Sequence, residues 1–398
     1  MRFIFIANFL PDSNYTRDLS QGFLQVMKKR DELYLCGRKN EPVLDGKTPK
    51  VDLVWNKGVL FFIPILIYVF KIKPNVIHFQ HEFKTYGGIG SALIFPWLIG
   101  LLRLFGFKVF VTCHLIVSKN QINANFLESF GLANNILNKF LGKVFLFYVF
   151  RLIGIFSSAV TAHTEILRTR LVDEYKCDPK KVFTIAHGIR RIKDPDKLPK
   201  SMEVLRKHPV LKNKKLILIF GYFSPRKGYD YLIKEYKYFI ENTKSKDFLL
   251  VLAGDVLPEF AYYKKKIEAL IKTSKISKSV LITGFVNGDE LDELYRLAKV
   301  CIIPAVFSYN SSGALAMTLA YKKPLIVADV KPISEEVKSN NIGLAFDISD
   351  HNSFATQLER ILNDKKTIHS INKSLNNVTQ ERFWDVIAEK HYKLYQSI

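Results

Sequence analysis

Short runs of consecutive apolar residues alternate along this chain with longer stretches in which apolar positions recur at helical spacing. That alternation predicts parallel α/β units. In the first half the strand candidates are Arg2–Ala7, Leu33–Cys36, Val51–Trp55, Val76–Phe79, Lys108–Thr112, Ala159–Ala162 and Val182–Ile185. In the second half they are Leu216–Gly221, Phe248–Ala253, Val280–Thr283, Val300–Pro304, Leu325–Ala328 and Gly343–Phe346. Helical stretches fill the intervals. The opening run from Met1 to Leu10 is broken by Asn8 and stopped at Pro11. It lacks the length and cleavage site of a signal peptide and reads as a buried first strand.

The length, 398 residues, suits two domains, and a hydrophobic share of 48% lets each bury a core. The lysine- and proline-rich segment Arg191–Lys214 reads as the linker. No repeat at solenoid spacing and no low-complexity tract interrupts the pattern.

Three apolar stretches raise the membrane question: Val59–Phe70, Ser91–Phe107 and Leu132–Phe156. The first is too short to span a bilayer and contains Pro64; the second carries Pro96 and Arg103. In the third, Lys139, Lys143 and Arg151 form a basic stripe beside Phe140, Val144, Phe147 and Phe150 on a helix. Two readings stay open there: a surface helix packed on a sheet, or an interfacial helix lying on anionic lipid through residues 132–156. A spanning helix is not expected with charges so spaced.

Net charge changes the picture in one respect. The excess is +22, with 25 basic and 13 acidic residues up to Arg190 and 34 and 24 beyond it, so +12 and +10. A field of this sign favours nucleotides, phospholipid surfaces or nucleic acid. No zinc-finger, homeodomain or RNA-recognition signature is present, so nucleic acid is not an expected partner. The four cysteines are scattered without a CxxC pair, and the histidines lack HxH or HxxxH spacing. Neither a disulfide framework nor a metal centre is expected, and a reducing, cytoplasmic compartment fits best.

Candidate chemistry gathers at strand ends. Gly221–Gly228 reads GYFSPRKG and places Arg226 and Lys227 between a strand and a helix, where open α/β sheets bind ligands. Adjacent cations there suit a diphosphate leaving group, although a solvated turn would look the same. Ser311, Ser312 and Gly313 precede the helix Ala314–Tyr321; they suit either a phosphate cradle or an ordinary serine cap. In the first half, His81 and Glu82 follow one strand and His114 another, with Gly87-Gly88 close by. His187-Gly188 closes the last strand of that half.

With these residues in hand, the sequence resembles glycosyltransferase family 4, of the glycosyltransferase-B fold. HFQHEF at His78–Phe83, VTCH at Val111–His114, IAHGI at Ile185–Ile189 and GYFSPRKG look like its strand ends and diphosphate loop. LAGD at Leu252–Asp255, TGFV at Thr283–Val286, SSGALAMTLAYKKPLIVA at Ser311–Ala328 and the closing ERFWDVIAEKHYKLY continue the match in order. The resemblance implies two Rossmann-like domains facing across a cleft, with a C-terminal helix crossing back to the first domain. The boundaries would be 1–192 for the acceptor domain, 193–380 for the nucleotide-sugar domain and 381–398 for that helix.

It further implies a nucleotide-sugar donor and a glycan or lipid-linked acceptor, with retained anomeric configuration and no metal. Lys227 with Arg226 would hold the diphosphate, beside Gly221. Ser311, Ser312 and Gly313 would cradle the distal phosphate and the sugar. Gly284, Phe285 and Val286 would flank the base. His114 would contact the sugar or position the acceptor hydroxyl, and Glu82, with His81, would line the acceptor side. Arg17 would bring charge to an N-terminal loop that has no glycine before Gly22. Three positions depart from the pattern: Tyr309 and Met317 stand where two glutamates are common, and Tyr222 where an arginine is. Two other readings therefore stand beside the transferase: a sugar-nucleotide 2-epimerase, and a non-catalytic partner subunit that kept the fold.

Overall fold

The structure, a computed structural model, describes residues 1–9, 15–40, 50–128, 132–192, 194–195, 202–243, 247–309 and 312–398. Contacts divide the chain into two units, one of residues 1–188, 309–311 and 382–398, the other of residues 189–308 and 312–381. All thirteen predicted strands are present, each within two residues of its expected ends.

The first unit holds β1 (Arg2–Ile6), β2 (Glu32–Arg38), β3 (Val51–Trp55), β4 (Val76–His81), β5 (Lys108–Cys113), β6 (Ala159–Ala162) and β7 (Val182–Thr184). They form a parallel sheet in the order β3-β2-β1-β4-β5-β6-β7. Its helices are α1 (Tyr15–Val26), α2 (Phe62–Ile72), α3 (Ile89–Leu104), α4 (Ala124–Glu128), α5 (Ile136–Phe156) and α6 (Glu165–Thr169).

The second unit holds α7 (Met202–Lys207), β8 (Lys215–Phe220), α8 (Tyr229–Asn242), β9 (Phe248–Ala253), α9 (Ala261–Thr273), β10 (Val280–Gly284) and α10 (Gly288–Leu297). It continues with β11 (Ala298–Ile303), α11 (Gly313–Ala320), β12 (Leu325–Ala328), α12 (Ile333–Ser339), β13 (Gly343–Phe346), α13 (Ser353–Asn363) and α14 (Lys365–Gln380). Its parallel sheet runs β10-β9-β8-β11-β12-β13. The last helix, α15 (Trp384–Ser397), belongs to the first unit.

In both sheets the order reverses beside the first strand, between β1 and β4 and between β8 and β11. That reversal opens a crevice at the carboxyl ends of the strands, the place where doubly wound sheets take ligands. Residues 193 and 196–201 of the expected linker lie outside the described residues.

Burial on both faces explains why inner strands such as β1, β8, β9 and β12 read as apolar runs. In β1, Phe3 and Phe5 pack with Leu19 and Phe23 of α1 and with Ile387, Tyr392 and Tyr395 of α15. Ile4 and Ile6 point the other way, into a core shared with α2, α3 and α5. Alternation with a period of two thus sorts each strand residue to one helical layer or the other.

The apolar stretch expected over 132–156 becomes a helix only from Ile136. Asn135 caps it, its side chain accepting from the Asn138 N–H at 2.7 Å. Phe150, expected beside the basic stripe, is instead turned into the core, whereas Phe140 and Val144 face outward. The reason is the 3.6-residue period: Leu146, Val149, Phe150 and Ile153 share the buried face. Among the described residues no helix is long and apolar enough to cross a membrane.

Candidate functional site

The second unit brings the two phosphate-type loops of the sequence to its switch point, one after β8 and the other after β11. The first leaves β8 at Gly221, makes a single 3-10 turn over Pro225–Lys227 and enters α8 through Gly228. Gly228 has φ +69°, and a Cβ there would meet the Pro304 carbonyl oxygen at 2.2 Å. Only glycine allows both the left-handed backbone and this approach to the end of β11. The Val306 N–H donates to the Arg226 carbonyl at 3.1 Å, so the two loops are tied by their backbones. The Tyr229 hydroxyl donates to the Gly221 carbonyl at 3.0 Å and fixes the turn from its other side.

This scaffold presents Lys227. Its ammonium folds back over the strand end, 3.9 Å from where a Cβ on Gly221 would stand. Burial, then the neighbouring Arg226, pushes its pKa down to about 8. A cation held in that way gains from an anionic ligand, which would restore its ordinary protonation. Beside β8, Gly254 packs so closely that a Cβ would lie 2.4 Å from the Gly221 carbonyl oxygen. Its N–H donates to the Gly284 carbonyl at 3.0 Å. The ends of β8, β9 and β10 are therefore a low shelf of glycines. Phe285 stands beyond it, 72% exposed, and Val286 is buried.

Across the switch point, Ser312 caps α11, its hydroxyl accepting from the Leu315 N–H at 3.4 Å. The serine-cap reading therefore holds for Ser312. It is compatible with a phosphate role, because the backbone N–H groups of a first helical turn have no partner within the helix. Gly313 is exposed, with open space where a side chain would be. Ser311 and Asn310 lie outside the described residues. Met317, in the position of an expected glutamate, is half-buried on α11. Tyr309 belongs to the first unit, where its carbonyl accepts from the Ile116 N–H at 3.3 Å and its ring meets Phe126.

In the first unit, parity separates the histidines that the sequence had paired. Phe79 and His81 of β4 face α3, where His81 is 1% exposed and stacks near Phe95 at 4.7 Å. His78 and Gln80 face the opposite layer and join a chain of polar groups. His78 Nδ1 lies 2.6 Å from the Tyr395 hydroxyl, and His78 Nε2 2.7 Å from the Thr112 hydroxyl. Thr112 and Thr161 lie 2.7 Å apart. Burial drives the His81 pKa to about 3, so its ring is a neutral core group rather than part of a polar edge.

His114, just past β5, has a partner that sequence reasoning missed: His163, just past β6, 3.0 Å away. A signal was available. Val111-Thr112-Cys113-His114 and Val160-Thr161-Ala162-His163 follow one V-T-x-H pattern, and the strands pair in register with Thr112 opposite Thr161.

Donor and acceptor bookkeeping fixes the tautomers. His163 Nδ1 faces the Ile185 carbonyl at 3.1 Å and must donate to it. Burial depresses the pKa of both rings, that of His163 to about 3, so both are neutral. His163 Nε2 is then an acceptor, and His114 Nδ1 donates to it. His114 Nε2, left as an acceptor, lies 2.7 Å from the Gln80 amide. An amide oxygen there would set two acceptors face to face, so the neutral network requires Gln80 to turn its NH2 toward His114. Both His114 nitrogens are engaged, and a substrate contact through Nε2 requires Gln80 to give way.

Tyr15 packs edge-on against His114 at 4.5 Å, against His187 at 5.0 Å and against Trp384 at 5.0 Å, closing this cluster. The remaining acceptor-side candidates are less tightly held. Arg17 on α1 pairs with Asp18 at 3.1 Å, and Glu82 is exposed directly after β4.

Comparisons with known proteins bear on the fold and on the second unit. Residues 200–377 match the family model described as Glycosyl transferases group 1. An uncharacterised glycosyltransferase of Methanocaldococcus jannaschii is 29% identical over 186 residues, 46% of this chain and 45% of that protein. The UDP-Gal:alpha-D-GlcNAc-diphosphoundecaprenol alpha-1,3-galactosyltransferase of Escherichia coli is 22% identical over 234 residues, 58% of each chain. The chain thus spans about half the length of the relatives it matches. Among solved structures, Anabaena HepE in complex with UDP superposes with a TM-score of 0.71 at 15% identity, covering 100% of both chains. The chain therefore has the glycosyltransferase-B fold, and its residues 200–377 carry the match to the group 1 glycosyl transferases.

Proposed function

We propose that the chain is a glycosyltransferase of the family 4 kind, moving a hexose from a uridine diphosphate sugar to a glycan or lipid-linked acceptor. The observation that carries this reading is the pair of backbone-tied loops at the switch point of the second sheet. They offer Lys227 and Arg226 on one side and the N-terminus of α11 on the other. The choice of uridine follows HepE, solved with UDP, and the lipid-linked acceptor follows the E. coli relative's name.

In this proposal the diphosphate lies over Gly221, with Lys227 and Arg226 against its charge and the distal phosphate at Ser312 and Gly313. The glycine shelf lets the nucleotide approach the strand ends, and the exposed Phe285 ring stacks on the base. His114, kept neutral by burial and bonded to His163, stands on the acceptor side with Glu82 and Arg17. The bond from the anomeric carbon to the phosphate oxygen breaks as the acceptor hydroxyl oxygen bonds to that carbon on the same face. The hydroxyl proton passes to the leaving phosphate, and configuration is retained. Fixed cations and the helix dipole meet the developing charge, the part a metal ion plays elsewhere. In this reading the reaction takes place in the cytoplasm, at the inner face of a membrane.

Thermal shift against a series of nucleoside diphosphates and their sugars tests the donor. A ligand at ~100 times its Kd should stabilise the unit that binds it by about 2.7 kcal/mol. If none stabilises the protein, the donor reading fails. The second reading, a non-catalytic partner subunit, then takes its place; Met317 at an expected glutamate position already favours it.

A further inference from the structure

The outer surface of the first unit reverses the usual helical pattern. On α3, Leu93, Trp97, Leu101 and Leu104 recur at spacings of four, four and three, and all are exposed, Leu104 at 86%. On α5, Leu137, Phe140, Leu141 and Val144 follow at spacings of three, one and three and are also exposed, after Ile136 at 87%. Leu60, Ile63 and Ile67 carry the stripe across the start of α2. Each helix is thus apolar toward the sheet and apolar away from it.

The three helices adjoin through apolar and aromatic side chains. Phe70 of α2 meets Phe105 at the end of α3 at 4.9 Å. Trp97 of α3 meets Phe156 of α5 at 5.6 Å, and its indole N–H donates to the Tyr148 hydroxyl. Exposed apolar stripes on three adjoining helices mark an interaction site.

Charge selects the occupant. The three helices contain no aspartate or glutamate, but carry Lys71, Arg103, Lys139, Lys143 and Arg151. From Lys57 to Arg170 the sequence has three carboxylates against twelve basic residues. A second copy of this face would bring like charges together with nothing to neutralise them. An anionic bilayer offers both what the apolar stripes and what the cations require, and a tryptophan–tyrosine pair between them suits the headgroup boundary.

We propose that α2, α3 and α5 together form a docking face for an anionic lipid surface, entered by the apolar stripes and held at its margin by the five cations. This deepens the membrane placement proposed above and enlarges it from α5 alone to three helices. It rests on that reading only for its purpose: lipid binding needs neither donor nor acceptor.

The test is co-sedimentation of the full chain with vesicles of phosphatidylcholine, alone or mixed with phosphatidylglycerol. Strong partition onto the mixed vesicles is expected, with weak partition onto phosphatidylcholine alone. Leu104→Glu with Phe140→Glu, both at exposed positions, should lower that partition at least about tenfold. Lys139→Ala with Lys143→Ala should lower it about 25-fold, about fivefold for each cation. Thermal shift with UDP should be unchanged in all variants, which separates this outcome from failure of the donor site. Absence of binding to mixed vesicles would overturn the proposal, as would binding that the α3 and α5 changes leave intact. So would a stable dimer in lipid-free solution that Leu104→Glu dissociates, because the face would then be a protein interface.

Discussion

Acid should destabilise the first unit through its buried histidines, and His163 allows the effect to be isolated. The folded ring has a pKa of about 3 against an ordinary 6.5, because burial penalises its charged form. Above pH 6.5 neither the folded nor the unfolded state protonates it, and its neutral hydrogen bonds are retained in full. Below that value the unfolded chain takes up a proton that the folded unit refuses. Stability therefore falls as pH drops toward 3, by about 1.4 kcal/mol per pH unit for one such ring. From pH 8 to about pH 5 the loss from His163 alone is ~2 kcal/mol. His163→Gln removes this titration while keeping a polar side chain near His114. At pH 8 the variant should be less stable by about 1 kcal/mol, having lost the bond to the Ile185 carbonyl. Its further loss on going to about pH 5 should be smaller than the parent's by ~2 kcal/mol. Urea unfolding followed by tryptophan fluorescence reads the first unit alone, because Trp55, Trp97 and Trp384 all lie within it. If parent and variant lose the same stability between the two pH values, the neutral His163–His114 assignment is wrong.

Other outcomes follow from single contacts. Gly228→Ala places a Cβ against the Pro304 carbonyl at a left-handed φ, and should cost the second unit about 2–4 kcal/mol by calorimetry. Ser312→Ala removes a long capping bond and should cost about 0.5–1 kcal/mol while leaving the fold intact; a larger loss would mean a role beyond the cap. His391 is buried on α15 with neither ring nitrogen bonded among the described residues, so His391→Leu should stabilise the first unit by about 1 kcal/mol in the same urea assay. Affinity for UDP should fall by roughly tenfold per pH unit above about 8, as free Lys227 loses its proton; a flat profile from pH 7 to 10 would exclude it from the phosphate site.

The inner strands were legible because both of their faces are buried, which makes them apolar runs bounded by glycine and polar residues. The loops at the second switch point were legible for a related reason. Gly221, Gly228 and Gly254 occupy places where a side chain would collide with a neighbouring carbonyl or nothing but glycine adopts the backbone angle. The first unit was harder to read. Which of His78, Gln80 and His81 meets His114 depends on strand parity together with the pairing of β4, β5 and β6, and pairing is a property of the sheet. The repeated V-T-x-H of β5 and β6 acquires meaning only when the two strands are neighbours in register. The apolar stretches over α2, α3 and α5 carried their composition openly, but a stripe that faces outward looks in sequence like a stripe that faces the core.

The account rests most directly on Lys227 as a diphosphate ligand. Titration calorimetry of UDP into the full chain at pH 7.5 should give a measurable Kd, and Lys227→Ala should weaken it about 10- to 150-fold, the loss of one charged hydrogen bond of about 1.5–3 kcal/mol. The variant should keep the urea stability of the first unit, since the substitution lies in the other. An unchanged Kd in Lys227→Ala would contradict the account at its centre.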